Sequence, residues 1–577
     1  MSENSMQVRT TKLLEFSMVY PGEKPDIKIL LKDIPKSDLL SGALRFADYH
    51  NKYDRTESTD NFLKRFFEGI LSEEYYKLLR NINHYQSYYG TDVHIIYPIS
   101  SLHFFDFAFQ NAVEFVKPQT FDYQKENINI LKAYLAFNEM VMLRFRHATI
   151  DLDLKIQQNR ENIALAGSIS DNDLMNYELS DEIYYQFKKA QLLFLFLKEN
   201  DKTQDLYKKT LNYFQCSNVS ELFNLIFSLV SPIISGDRIT VNQNNHFVKI
   251  CNFLDNFVLL HTATEADFVH LRNNPIYKES EGSYRIIYPK FLLEKIYKGW
   301  YFLLNQLNSN NQSPHGIRQF RSFYGFEFTE NFLVKRLLND CFDKKAIRLS
   351  GQDIRNIRLT NKINAGAEPD YYVRDWDEVY LFEVKETLLT KEAKTSFDFS
   401  VIEKELRDKL FYKNDRGKPK AIIQLINIIR NFLIHNIDFD DCQRSSKFRI
   451  YPILILSEEV FNAAGLNNLT NKWFCEELTL LLDELNIKKT KIKPLTVITI
   501  DTLTHLNPYL SKKVIRLKTL LDSYAENCLG TISSNKKTKF PTTSFSAFAK
   551  NYLLEKGLAD KISFRDYLYV NELIKSE

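Results

Sequence analysis

The sequence predicts a mainly α-helical N-terminal domain followed by an α/β domain organised around a β-hairpin, and three observations carry that prediction. Apolar residues recur at spacings of three and four through most of residues 1 to about 280, as in "NFLKRFFEGILSEEYYKLLRNI" and "SDEIYYQFKKAQLLFLFLKEN". A polar breaker run, "NSNNQSPHG", interrupts the pattern near residue 310. Beyond it the predicted order changes to helix, strand, hairpin, helix, strand, the alternation of an α/β domain.

The elements follow in chain order. "LLEFSMVY" and "DIKILLKD", separated by the turn-like "PGEKP", read as a strand pair at the start. The helical region closes with "YRIIYPKFLLEKIYKGWYFLLNQL", a strand-like start running into one long amphipathic helix. After the breaker, "GFEFTENFLVKRLLNDCF" places Phe328, Phe332, Leu333, Leu337, Leu338 and Phe342 on one helical stripe. "KAIRLSG" is a strand and "PDYYVRDWDEVYLFEVKE" a hairpin. "SVIEKELRDKLFY" and "KPKAIIQLINIIRNFLI" are helices, and "FRIYPILILS" and "PLTVITID" are buried strands. A second polar run, "GTISSNKKTKFPTTS", precedes a tail in which Ser544 caps the helix "FSAFAKNYLLEKG". The predicted domains are 1–310, for recognition, regulation or partner binding; 316–530, carrying the hairpin; and 531–577, a helical tail.

Length and composition bound the function. A chain of 577 residues is too long for one ordinary core, and 44% hydrophobic with 26% charged residues marks a folded chain. A net charge of +3 leaves nucleic-acid binding to local basic surface. "KNDRGKPK", with Lys413, Arg416, Lys418 and Lys420, is a candidate for tracking a phosphate backbone, a solvated interhelix loop being the alternative. The six cysteines lack zinc-ligand spacing, so reduced thiols and no structural zinc are expected. The most apolar stretch, "FNLIFSLVSPIISG", is too short and interrupted for a span of roughly 20 residues, so a cytoplasmic protein with no membrane partner is expected. No Gly-x-x-x-x-Gly-Lys-Ser/Thr loop occurs, so any nucleotide-driven motor or sensor would be a separate ATPase or sensor subunit.

The chemistry concentrates in the hairpin. Alternation along a strand sends Val379, Leu381, Glu383 and Lys385 one way and Tyr380, Phe382 and Val384 the other. If the chain reverses at "DWDE", Asp370 falls opposite Phe382 or Glu383. A cross-strand ion pair on a half-exposed hairpin would use the same residues, but strands this apolar read as buried, where charges need a partner or a metal. Two carboxylates a few ångströms apart repel unless a cation lies between them, and hard oxygen ligands with room for water suit Mg²⁺. Such an ion activates a bound water and neutralises a phosphate oxygen, while a lysine orients the water. The predicted chemistry is phosphodiester hydrolysis.

Pro369 and Asp370, a short gap, then Glu383, Val384 and Lys385 resemble the motif of the PD-(D/E)XK nuclease superfamily over roughly residues 316 to 530. Other acidic-x-Lys tripeptides, at Asp153, Asp343 and Glu392, lack the strand setting and the preceding Pro-Asp. The resemblance implies a restriction-endonuclease-like α-β-β-β-α-β core and an endonuclease dependent on Mg²⁺, with Mn²⁺ as a substitute. It implies Asp370 and Glu383 as metal ligands, the Val384 carbonyl as a third, and Lys385 positioning the attacking water. It also implies a further acidic residue from the first helix, Glu330, with Glu327 one turn earlier as the alternative. In some branches the later helix supplies a glutamine, here Gln424, although the tyrosine that follows it at four is Ile428 in this chain. DNA is the expected substrate, RNA stays open because the metal chemistry does not select the sugar, and a homo-oligomer is expected for double-strand cleavage. Proteins of this layout occur in prokaryotic restriction and phage defence. A nucleic-acid-binding or scaffold subunit that keeps a nuclease-like fold is the rival reading.

Overall fold

"VYLFEVK", apolar on both faces, becomes the middle of a five-stranded mixed sheet. In the computed structural model, the structure describes residues 12–562 except 53–58, 71, 90–92, 112–121, 154, 176–178, 237, 261–267, 310–316, 364–365, 412–418, 441–447, 489–490 and 530–541. The strands are β1 (Ile347–Ser350), β2 (Tyr371–Asp375), β3 (Glu378–Lys385), β4 (Arg449–Leu456) and β5 (Thr496–Thr499), lying in the spatial order β5-β4-β3-β2-β1. β1 to β3 pair antiparallel, whereas β4 and β5 add parallel to β3. Long crossover segments between β3, β4 and β5 make the parallel pairs possible.

Each face of the sheet is covered. Val379, Leu381, Leu454 and Leu456 pack in one cluster with Ile402, Leu425 and Trp473. Those partners come from helices α3 (Phe399–Leu410), α4 (Ala421–Leu433) and α5 (Leu466–Glu484). On the opposite face Tyr380 stacks on Tyr451 at 5.0 Å and meets Phe342 at 5.0 Å. Phe342 follows the helix α1 (Lys335–Cys341), which continues a π-helical segment, Tyr324–Val334. The stripe expected there is in place, with Phe328, Leu333, Leu337 and Leu338 fully buried. A π-helix is rare and recurs at functional sites.

Between β1 and β2 lies a helix that the sequence reading did not place, α2 (Gly351–Thr360). Its start is a capping box: Ser350 Oγ accepts from the Asp353 amide, and Asp353 Oδ2 accepts from the Ser350 amide at 2.8 Å. From α2 the buried Arg358 reaches into the segment that leads to Asp370. Its Nε donates to both oxygens of Asp438 at 3.0 and 2.8 Å, Nη1 to the Gly366 carbonyl and the Glu368 carboxylate, and Nη2 to the Ala367 carbonyl.

The chain groups into two compact units, Met1–Ile150 with Asn224–Lys295, and Asp151–Phe223 with Ile296–Glu577. The helix Gln157–Met175, N-terminal to the division expected at 310, groups with the sheet because Leu165, Ala166 and Ile169 fill its core. The breaker itself, 310–316, lies outside the described residues, as does most of the run before Ser544. Ser544 does cap Phe545–Glu555, accepting from the Ala547 amide at 3.2 Å.

The other unit is mainly helical. The strand pair expected at its start is not formed: Phe16–Val19 and Ile27–Leu31 are short helices, and the strand Lys12–Leu13 pairs parallel with Val93–His94. Short apolar runs fit either periodicity, and here packing against the helix Tyr123–Thr149 decides. The expected helix across 61–82 is broken at Gly69, whose φ of 79° only glycine adopts freely. The helix expected after "YRII" is likewise two, Pro289–Leu293 and Lys298–Ser309. The strand-like start expected at "YRII" is formed, as the middle strand Ser283–Ile286 of a three-stranded antiparallel sheet whose other strands, Arg238–Thr240 and Ile276–Ser280, were not expected. Among the described residues no helix is long and apolar enough to cross a membrane.

Candidate active site

Strand register decides where the charges of the hairpin fall. The last paired rung is Tyr371 with Phe382, so Asp370, one residue earlier, comes beside Glu383. Asp370 then stands in for a strand carbonyl: its Oδ2 accepts from the Val384 amide at 2.7 Å. Lys385 turns back along its own strand to donate Nζ to Glu383 Oε1, with Asp370 Oδ2 at 3.9 Å. Glu383 is wholly buried, whereas the Lys385 and Asp370 side chains keep 27% and 22% of their surface. Solvent therefore reaches the cluster over Asp370 and Lys385.

Three carboxyls share too little positive charge. Burial, and then Asp370, push Glu383 up to about 8 against the opposing pull of Lys385. Burial, and then Asp370, push Glu330 to about 8 as well, opposed by Lys385 and Arg355. Asp370 is raised by its own burial, against Lys385, the Val384 amide and Arg355. Burial works against the charged form of Lys385, but Glu383 and Asp370 outweigh it and hold the ammonium above its usual range. Such shifts, gathered in one cluster of groups, are characteristic of functional sites.

A pH dependence of stability follows. A carboxyl whose folded pKa exceeds its unfolded value binds its proton more tightly when folded, so stability falls as pH rises from the ordinary 4.5 through about 8. The metal-free protein is expected to melt progressively lower between those pH values. Glu383→Gln, which cannot ionise, should flatten that slope and raise the apparent Tm at the alkaline end. Calorimetric melts in EDTA across that range check this; an unchanged slope would mean that Glu383 ionises freely in the folded state.

The candidate residues do not all converge. Asp370, Glu383 and Lys385 meet, and the π-helical segment brings Glu330 within electrostatic reach of them. Gln424 is half-buried on α4, and among the described residues no hydrogen bond links it to the cluster. Of the basic run, Lys413, Arg416 and Lys418 lie outside the described residues, while Lys420 donates to the Asp408 carbonyl at the end of α3. One residue at the site escaped the sequence reading. Arg355, on α2, acts on both Asp370 and Glu330; the Ser-x-x-Asp capping pattern from Ser350 to Asp353 was the signal for its helix.

The donor set fits a hard cation in part. Among the described residues the buried Glu383 Oε2 has no hydrogen-bond partner, and an orphaned buried carboxylate oxygen is a place for an ion. Among the described residues no three His, Cys, Asp or Glu side chains converge closely enough to hold a metal by themselves. An ion here would draw on two carboxylates, main-chain oxygen and water, the usual supply for Mg²⁺.

No family model, curated protein or solved structure matches the chain.

Proposed function

We propose that the chain is a metal-dependent nuclease that hydrolyses phosphodiester bonds, with DNA as its substrate. One observation carries this reading: Asp370, Glu383 and Lys385 converge at the end of a buried strand, open to solvent over Asp370 and Lys385, with Glu330 adding a third carboxyl. The element order supports a restriction-endonuclease-like core, namely helix α1, strands β1 to β3, helices, then β4, with α2 as an insertion between the first two strands. Asp370 and Glu383 would hold Mg²⁺ or Mn²⁺, with the Val384 carbonyl beside them. When bound, the ion supplies positive charge to the phosphate and lowers the pKa of a coordinated water.

The remaining steps belong to this chain's own groups. Asp370 is oriented by the Val384 amide, which fixes one carboxylate oxygen and leaves the other for the ion. The Lys385 ammonium, bonded to Glu383 and near Asp370, orients the attacking water and stabilises the hydroxide as it forms. Restriction or phage defence is the setting that such a nuclease suits.

Incubating the purified chain with plasmid DNA and with RNA, in Mg²⁺, Mn²⁺ or EDTA, tests the proposal. Cleavage of DNA only with a divalent ion is expected. Binding without cleavage in every ion would favour the scaffold reading, in which Lys385 permanently neutralises Glu383.

A further inference from the structure

Phe326 and Arg355 lie together beside the candidate site and have no part in the chemistry above. Phe326 projects from the π-helical segment with 42% of its surface exposed, whereas its neighbours Tyr324 and Phe328 are buried. Its backbone is fixed by Asn331, whose Nδ2 donates to the Phe326 carbonyl at 2.9 Å. The Arg355 guanidinium carbon stands 6.0 Å from the centre of the Phe326 ring. An isolated exposed phenylalanine is unremarkable. Here the ring is paired with a held cation next to a carboxylate cluster.

Arg355 is held on several sides. Nη1 donates to Glu368 Oε1 at 3.0 Å and Nη2 to Gln352 Oε1 at 3.3 Å. Gly351 makes room for it: a β-carbon there would come within 3.3 Å of both Arg355 Nη1 and the Pro369 carbonyl. The guanidinium therefore lies near the Pro369–Asp370 backbone, across Gly351, with 37% of its side chain open. A planar guanidinium in that place suits a phosphate oxygen, and an aromatic face next to it suits a base.

We infer that the site takes a nucleic-acid strand with an unpaired base beside the reacting phosphate, Arg355 contacting the phosphate and Phe326 stacking on the base. The inference rests on the nuclease reading for its substrate class. A base inside a duplex is already stacked on both faces and reaches a protein ring only after extrusion, so a single strand or frayed end is favoured over intact duplex. Arg355 contributes in either case, because the phosphate is common to both.

The test is fluorescence anisotropy with a labelled single strand of DNA, the same strand as RNA, and the matching DNA duplex, with cleavage prevented by EDTA. Wild type should prefer the single strands. Phe326→Ala should weaken single-strand binding by about 5- to 150-fold, the range for losing one base–aromatic stack, while duplex binding changes little. Phe326→Trp should restore the preference and Phe326→Leu should not, which separates stacking from apolar packing. Arg355→Ala should weaken all three ligands. Equal losses on single strand and duplex, no loss, or a wild-type preference for duplex would overturn the inference. Phe326-dependent single-strand binding without cleavage in any metal would sink the nuclease reading alone. Cleavage with binding indifferent to Phe326 would sink this inference alone.

Discussion

Lys385→Met is expected to lower the rate of phosphodiester cleavage by about 10²- to 10⁴-fold, the range for losing a positioned proton-handling group. The ammonium is bonded to Glu383 and lies near Asp370, so on the proposed nuclease reading its removal should leave the attacking water without its orienting partner. Methionine retains the apolar stem that packs at the end of β3. Divalent-ion binding should behave oppositely: with the competing ammonium gone, Mn²⁺ affinity at alkaline pH should hold or rise. Single-turnover cleavage beside Mn²⁺ titration checks both halves. Loss of Mn²⁺ binding together with cleavage would show that Lys385 builds the site rather than acting in it.

Arg358→Ala is expected to cost about 3–5 kcal/mol, the range for breaking a buried ion pair by removing one partner. The Arg358 side chain is only 6% exposed and neutralises two carboxylates, Asp438 and Glu368, that would otherwise face each other across its place. It also holds the carbonyls of Gly366 and Ala367, just ahead of Asp370. Stability and cleavage should therefore fall together, because the segment that aims Asp370 loses its anchor. Arg358→Lys should recover only part of either, since an ammonium has no planar fork to span these acceptors. Urea unfolding followed by tryptophan fluorescence, beside cleavage at a temperature where the variant is folded, checks this. A variant as stable as wild type would mean that the loop is held elsewhere.

How much of this the sequence disclosed differs from residue to residue. The hairpin was legible because alternation is strict in a strand, so the order from Val379 to Lys385 fixed which side Glu383 and Lys385 share. Asp370 was placed opposite Phe382 or Glu383, and the rung between Tyr371 and Phe382 resolves it beside Glu383. Glu330 was suggested by family resemblance alone. Its approach depends on a π-helical turn, which closes at five residues and leaves no mark in a pattern read at three and four. Arg355 was missed because α2 is short and polar, with a weak apolar stripe, although its capping box was written in Ser350 and Asp353. The N-terminal strands were misread because eight-residue apolar runs satisfy a strand template and a buried helix alike. Gln424 shows the reverse case. A residue in the right place along the chain faces its site only if the helix turns that way, and among the described residues no hydrogen bond links Gln424 to the cluster.

The deciding comparison is cleavage of labelled DNA in Mg²⁺ by wild type and by Glu383→Gln at equal folded concentration. Glutamine keeps the shape of the buried side chain and removes its charge, so the sheet should survive while the proposed cation site loses an anionic ligand. Wild type is expected to cleave only with the divalent ion, and the variant to lose at least about a hundredfold. Cleavage by Glu383→Gln at the wild-type rate, with the same dependence on Mg²⁺, would contradict the nuclease reading.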